Sequence, residues 1–132
     1  MPDVMPGEWR VKADPYDYTF NIASTALIII DKPGKGSFYA TDLDLILHRL
    51  GMTHLILCGI TTDVCVHTTM RDANDRGYEC MILEDCTGAT DDNNHLAALH
   101  MVKMQGGVFG TVGHSQALVE ALAKSVKQVE GS

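Results

Sequence analysis

Short apolar runs alternate with longer amphipathic segments along most of this chain. The runs are rich in β-branched residues and leucine, which is typical of strands buried on both faces of a parallel sheet. Between the runs, apolar residues recur at the spacing of one helical face. This alternation predicts an α/β domain with a parallel sheet of about four strands. The predicted strands are Thr25–Ile30, His54–Cys58, Glu79–Leu83 and Val108–Phe109.

A helix is predicted after each strand from the residues that start and stop helices. Small polar residues that can cap a helix N-terminus precede each amphipathic segment, and glycines follow the first two. The predicted caps are Thr41, Asp91 or Asp92, and Ser115, and the helix after the second strand is predicted to begin at Asp63. Residues 1–24 instead carry three of the four prolines and no clear period. We therefore expect an N-terminal arm over residues 1–24 and a folded domain over residues 25–132.

The segment Leu55–Arg71 has the features of a nucleophile site. It combines a predicted strand, a tight Gly-Ile-Thr-Thr turn and a helix with Cys65 in its first turn. The positive end of a helix dipole and the unpaired N–H groups there favour a thiolate over a thiol. The same N–H groups can donate hydrogen bonds to an oxyanion. One turn could therefore supply both a nucleophile and its oxyanion hole.

Composition and charge exclude several classes of partner. The 132 residues are enough for one domain, and a net charge of −7 without any basic run argues against nucleic acid. The longest apolar run, Ala26–Ile30, is too short to cross a membrane, and residues 1–20 lack the basic and apolar regions of a secretory signal. We therefore expect a cytoplasmic protein with no membrane partner. The four cysteines form no CxxC pair, so free thiols are expected.

Each candidate residue also has a purely structural interpretation. A single cysteine in a helix is commonly a small buried side chain, and a single lysine is commonly a solvated surface group. Cys65 and Lys32 together favour chemistry, because a lysine at the end of a neighbouring strand can stabilise a thiolate. The six histidines are scattered without carboxylates at ligand spacing, so no metal site is predicted. The Gly34–Ser37 loop lacks the spacing of a phosphate-binding loop.

Several segments of the chain resemble the isochorismatase-like cysteine hydrolases. The nucleophile region is GITTDVC, at Gly59–Cys65, with the strand HLILCG before it and TTMRDANDRGYE after it. The downstream segments MILEDCTGATDDNNHLAALHMV and MQGGVFGTV are also similar to that superfamily. Within it, the combination of IIDKPGKGSF, GITTDVC and KMQGGVFG most resembles biuret hydrolase and related amidohydrolases. The resemblance extends over nearly everything from Thr25 onward.

This resemblance implies a fold, a reaction and a set of site residues. The fold would be a three-layer, Rossmann-like parallel sheet with helices, shortened in this chain. The reaction would be hydrolysis of a small amide or urea-like C–N bond through a thioester, without a cofactor. The family's Asp-Lys-Cys triad maps onto Asp31, Lys32 and Cys65. The other implied features are oxyanion-hole N–H groups at Thr61 and Cys65, a cis peptide bond at Ile60–Thr61, and substrate contacts from Gln105 and Thr62.

The chain departs from the family at its acid-base residues. The family has its aspartate and lysine in separate segments, whereas Asp31 and Lys32 are adjacent here and the intervening segment is absent. Neighbouring side chains of a strand point to opposite faces, so these two can aim at one thiol only if the chain turns between them. In the family, the absent segment also covers one apolar face of the sheet. We therefore expect a homo-oligomer that covers this face.

Two other functions stay open at this point. A shortened relative could keep the fold, lose catalysis and act as an oligomeric interaction or structural protein. Cys65 could instead be a redox-sensing thiol, because an exposed and activated cysteine is open to oxidation. Hydrolysis of a small amide or urea-like substrate is the interpretation that uses most of the motifs.

Overall fold

The computed structural model describes residues 8–10, 19–21 and 28–131, in two compact units that divide between Ile30 and Asp31. A π-helical turn at Thr62–Val66 leads directly into the second helix. No described helix is long and apolar enough to cross a membrane. The elements are β1 (Glu8–Arg10), β2 (Thr19–Asn21), α1 (Leu43–Arg49), β3 (His54–Ile60), α2 (His67–Asp75), β4 (Glu79–Gly88), α3 (Asp92–Gly107), β5 (Thr111–Gly113) and α4 (Ser115–Glu130).

In the first unit, β1 and β2 form an antiparallel pair in which Trp9 is the register partner of Phe20. The sequence predicted an arm without strands in this region. Strands of three residues are too short to show an alternating pattern of apolar and polar positions, so pattern analysis does not detect them.

The second unit contains a parallel sheet in the strand order β3-β4-β5. This confirms the predicted α/β fold in a shortened form. The strand predicted at Thr25–Ile30 is wrong over Ile28–Ile30, which have no strand structure, and residues 25–27 lie outside the described residues. Consecutive isoleucines favour a strand, but a strand forms only where another strand pairs with it.

α3 is followed by a turn at Val108–Phe109, where the sequence predicted a strand. The helix breaks after residue 103, and Gln105 and Gly106 have left-handed φ angles of 53° and 74°. Phe109 lies beyond this break, and its carbonyl accepts a hydrogen bond from Asn74 Nδ2 at 2.7 Å. The strand prediction at Val108–Phe109 is therefore wrong, because a side chain and not a neighbouring strand satisfies this backbone.

Gly110 determines where β5 begins. Its φ is 128°, and a side chain at this position would place a Cβ 2.0 Å from the Cys80 carbonyl oxygen. Glycine alone tolerates so close an approach in this conformation. The chain therefore passes β4 at Gly110 and starts to pair at Thr111, which lies opposite Met81.

Helix starts lie close to the predicted positions in two cases and differ in a third. The Asp91 carboxylate accepts the Asn93 N–H at the start of α3, as predicted. At α1 the N-cap is Asp42, one residue after the predicted Thr41, whose hydroxyl accepts the Leu43 N–H at 3.3 Å. At α4 the capping side chain is His114 and not Ser115. Ser115 instead donates both its N–H and its hydroxyl to Asp85, which lies on β4.

The hydrophobic core lies on one face of the parallel sheet. On β3, Leu57 is buried, whereas Ile56 and Ile60 are 50% and 73% exposed. α4 packs against β4, but none of its side chains is buried. The prediction of strands buried on both faces is therefore wrong for β3, because burial needs a covering layer on each face. The remaining core residues are Phe38, Val66, Met70, Ala73, Tyr78, Cys80, Ile82, Leu99 and Val102.

The loop before α1 is attached to the rest of the unit through Phe38. Phe38 is 2% exposed and stacks on Tyr78 with 5.8 Å between ring centroids. The Tyr78 hydroxyl donates to Asp44 Oδ1 at 2.7 Å, and Arg76 forms a salt bridge with Asp44 at 3.0 Å. Burial, together with Asp44, raises the pKa of Tyr78 to about 12. The hydrogen bond from Tyr78 is the main cause that lowers the pKa of Asp44.

Candidate functional site

Cys65 lies in the tight turn that follows β3. The peptide bond Ile60–Thr61 is cis, which confirms the expectation from the family resemblance. The Thr61 carbonyl accepts hydrogen bonds from the N–H groups of Val64 and Val66, both at 3.2 Å, and these bonds close the π-helical turn. This turn begins at Thr62 without a side-chain cap, one residue before the helix start predicted at Asp63.

The position of Cys65 in this turn is suited to a nucleophile. The Cys65 side chain is half-buried and carries a free thiol. The first N–H groups of a helix have no partner within the helix, so they remain available to a bound oxyanion. The backbone N–H groups of Thr61 and Cys65 belong to this part of the chain. Their role as an oxyanion hole stays a prediction.

Thr69 joins the Cys65 turn to the loop that carries Lys32. The Thr69 hydroxyl donates to the Cys65 carbonyl at 2.7 Å and accepts from the Ser37 N–H at 3.0 Å. Ser37 Oγ lies 3.1 Å from the same hydroxyl. A methyl-sized group added at Gly36 would also lie only 3.1 Å from Thr68. The loop is therefore packed onto the start of α2. No local pattern identifies Thr69, because its importance comes from a contact across 32 residues.

The Lys32 and Asp31 side chains lie at the exposed start of this loop. The Lys32 ammonium donates to the Lys35 carbonyl at 2.8 Å. Between residues 31 and 131, no hydrogen bond or ion pair joins Lys32 to Cys65. The structure thus brings the loop to the nucleophile turn, while the ammonium itself is bound within the loop.

Thr62 and Gln105, the two residues expected to contact substrate, lie in different environments. Thr62 is fully buried, and its hydroxyl lies 2.7 Å from His95 Nδ1. This contact links the Cys65 turn to α3, and the buried Thr62 side chain is inaccessible to a molecule in the solvent. Gln105 is exposed in the turn that ends α3. Their contacts with substrate stay predictions.

Asp85 connects the carboxyl end of β4 to the residues that follow β5. Its carboxylate accepts from the Ser115 N–H at 2.9 Å and from the Ser115 hydroxyl, and His114 Nε2 lies 3.6 Å away. The Ser115 hydrogen bonds lower the pKa of Asp85. The sequence placed Glu84–Gly88 in a loop, but β4 continues to Gly88 after an irregularity in its pairing with β3. The pairing is interrupted because β4 has more residues than β3 between the pairs Leu57–Ile82 and Gly59–Thr87.

A cleft of about 420 Å³ lies between α2 and α3, lined in part by Asp63 and Asn94. His67 forms one wall: its Nε2 lies 3.1 Å from the Ala98 carbonyl, and its Nδ1 accepts from Arg71 Nε at 3.0 Å. Burial, and then the Arg71 charge, lower the pKa of His67. A neutral His67 held in this way joins the two helices. Cys65 does not line the cleft.

Comparison with known proteins gives one family match. The family model "Isochorismatase domain" matches residues 10–117. The ureidoacrylate amidohydrolase RutB of Yersinia enterocolitica is 38% identical over 101 residues, which cover 76% of this chain and 43% of RutB.

Two solved structures are similar to this chain. An isochorismatase-like hydrolase from Alkaliphilus metalliredigens has a TM-score of 0.69 and 28% identity, covering 76% of this chain and 57% of its own. The nicotinamidase SaPncA from Staphylococcus aureus has a TM-score of 0.60 and 27% identity, covering 64% of this chain and 53% of its own. This chain therefore spans about half the length of these relatives.

Proposed function

Because this chain belongs to the isochorismatase family, we propose that it is a cysteine-dependent hydrolase of small amide or urea-like C–N bonds. The observation that carries this proposal is the position of Cys65, in the first helical turn after the cis peptide Ile60–Thr61. That geometry combines a nucleophile with backbone N–H groups that can bind an oxyanion. The arrangement suits attack on a carbonyl group.

The proposed reaction has two stages. The Cys65 thiolate attacks the carbonyl carbon, and the N–H groups of Thr61 and Cys65 stabilise the negative oxygen. The C–N bond then breaks, and the nitrogen leaves with the proton that Asp31 took from the thiol. Water attacks the resulting thioester, releases the acid and restores the thiol. Lys32 stabilises the thiolate by its charge, once its ammonium leaves the Lys35 carbonyl.

We propose ureido compounds and small carboxamides as the substrate class, with biuret as one member. The names of two relatives support this choice, since one is a ureidoacrylate amidohydrolase and the other a nicotinamidase. Gln105 is exposed and can donate and accept hydrogen bonds with an amide. The Thr62 side chain is fully buried, so it contacts the same substrate only when the turn opens.

The test is ammonia release from ureidoacrylate, nicotinamide and biuret by the wild type and by Cys65→Ala. We expect the substitution to reduce the rate at least about 1,000-fold, because it removes the attacking atom. Cys86→Ala is the matched control, as it removes another cysteine side chain outside the turn and should leave the rate unchanged. Equal release by the wild type and Cys65→Ala would overturn the proposal.

A second function is favoured if no substrate of this panel is hydrolysed. The hydrogen bond that holds Lys32 within its own loop supports a catalytically impaired homologue that acts as an oligomeric interaction or structural protein. Measurable ammonia release that depends on Cys65 would exclude this alternative.

We further propose that the protein is a cytoplasmic homo-oligomer. The exposed apolar side chains of β3 and α4 support association, among them Ile56, Ile60, Leu122 and Val129. Four free cysteines support a reducing compartment. A monodisperse monomer by light scattering at micromolar concentration, with no binding of an apolar dye, would contradict the oligomer. Recovery of the protein from a secreted fraction would contradict the compartment.

A further inference from the structure

Cys58 and Cys86 lie close together on the neighbouring strands β3 and β4. The pairing of these strands has two registers, and the second begins with Gly59 opposite Thr87, followed by Ile60 opposite Gly88. Cys58 and Cys86 are the residues directly before this first pair, and they are near enough for Cys86 to act on the pKa of Cys58. Side chains at paired positions of a parallel ladder point to the same face of the sheet. Both thiols are exposed.

The irregular segment of β4 holds Cys86 in this position. The Thr87 hydroxyl donates to the Leu83 carbonyl at 3.1 Å and closes the segment into a short loop. Within the same loop, Asp85 accepts the Ser115 N–H at 2.9 Å. These bonds fix the backbone on both sides of Cys86. Paired parallel strands lie about 4.8 Å apart, which is within the Cα separation that a disulfide spans, and Cys58 and Cys86 directly adjoin such a pair.

We propose that Cys58 and Cys86 form a reversible disulfide when the protein meets hydrogen peroxide. One thiolate attacks the peroxide oxygen and becomes a sulfenic acid as one water is released. The second thiol then attacks that sulfur, the S–S bond forms, and the sulfenic oxygen leaves as a second water. The two thiols together lose two electrons and two protons, and the peroxide is reduced to two molecules of water.

The disulfide lies directly next to the Cys65 turn. Partial burial, and then the neighbouring Cys86, raise the pKa of Cys58. Because Cys58 immediately precedes Gly59, the disulfide ties the base of the Cys65 turn to β4.

The other cysteines do not fit the same pairing. Cys80 is 6% exposed and lies opposite Leu55, on the core face of the sheet. Cys65 lies beyond the cis peptide, in the helical turn. Because Cys65 is itself open to oxidation, the thiols are counted in Cys65→Ser. Treatment of this variant with hydrogen peroxide should reduce its free thiols from three to one, with a mass loss of about 2 Da. Dithiothreitol should reverse both changes.

Peptide mapping identifies the linkage. Trypsin leaves Cys58 and Cys65 in one peptide and Cys80 and Cys86 in another, so the test uses Cys65→Ser combined with Cys80→Ser. After peroxide treatment, peptides Leu50–Arg71 and Gly77–Lys103 should be joined in a single chain. The matched control combines Cys58→Ser with Cys80→Ser, which keeps one member of the pair and Cys65.

The control variant should show no intramolecular link between the two peptides. A link in the control as strong as in the test variant would overturn the proposal, and so would three intact or singly oxidised thiols in Cys65→Ser. Because the thiol count needs only this single substitution, the result stands even if a double variant folds poorly.

Discussion

The turn at residues 59–66 and the loop at residues 31–38 contribute to the candidate site in different ways. In the turn, the Thr61 carbonyl accepts two backbone hydrogen bonds, and the buried side chains of Thr62 and Val66 flank Cys65. In the loop, Lys32 is exposed and bonds to its own loop, and the first buried side chain is Phe38. Cys65 is thus positioned by its immediate neighbours, whereas Lys32 depends on attachments further along the chain.

This difference indicates which half of the proposed site, the Cys65 turn or the Lys32 loop, can form in a shortened fold. A turn closed by local hydrogen bonds forms wherever its strand and helix form. A charged side chain at the start of a loop needs a surface that holds it in one direction. Thr69 is the connection between the two, because its hydroxyl bonds to both the Cys65 carbonyl and the Ser37 N–H.

The largest effect is expected from removing the anchor of the loop. Phe38→Ala deletes a buried ring that stacks on Tyr78, so we expect a loss of about 3–5 kcal/mol in the free energy of unfolding. Urea unfolding followed by circular dichroism measures this loss. Tyr39→Ala is the control, since Tyr39 is 68% exposed and should change stability by no more than about 0.5 kcal/mol. Equal losses in both variants would show that Phe38 does not anchor the loop.

A smaller effect is expected from breaking the connection between loop and turn. Thr69→Val removes the hydroxyl that bonds to Ser37 and Cys65, at a cost of about 0.5–1.5 kcal/mol in unfolding free energy. If the proposed hydrolysis holds, the rate of ammonia release should fall more than the stability loss explains. Thr69→Ser keeps the hydroxyl and should restore the rate. If Thr69→Ser releases ammonia as slowly as Thr69→Val, the hydrogen bonds of this hydroxyl do not account for the loss of rate.

The smallest effect is expected in the free energy of unfolding at acidic pH, and it arises from Asp44 on α1, the helix that follows the loop. The Tyr78 hydrogen bond, and then Arg76, lower the pKa of Asp44 in the folded state. The contribution of Asp44 is therefore complete above its ordinary pKa of 3.8 and is lost as the pH falls through the lower folded value. Asp44→Asn should flatten this part of the acid unfolding curve, and Tyr78→Phe should reproduce most of the change. An unchanged curve in both variants would contradict the assignment.

The elements with local signals were predicted well. The alternation of apolar runs with amphipathic segments was enough to predict β3, β4 and the helices after them, because strand and helix periods are local properties. The Asp91 cap and the cis peptide before Cys65 also agree with the predictions. The prediction failed at Ile28–Ile30 and at Val108–Phe109, where β propensity was present without a partner strand. Pairing partners are far away in the chain, so no local pattern reports them.

By itself, the sequence determined the α/β class, the Cys65 turn and the family to which this chain belongs. Only the tertiary structure decided that β3 has one exposed face, that Thr69 connects loop and turn, and that Cys58 and Cys86 adjoin the same residue pair of β3 and β4. The physical reason is the range of the interactions. Backbone conformation and helix caps depend on neighbours within a few residues, whereas burial, register and side-chain contacts depend on segments that meet only after folding.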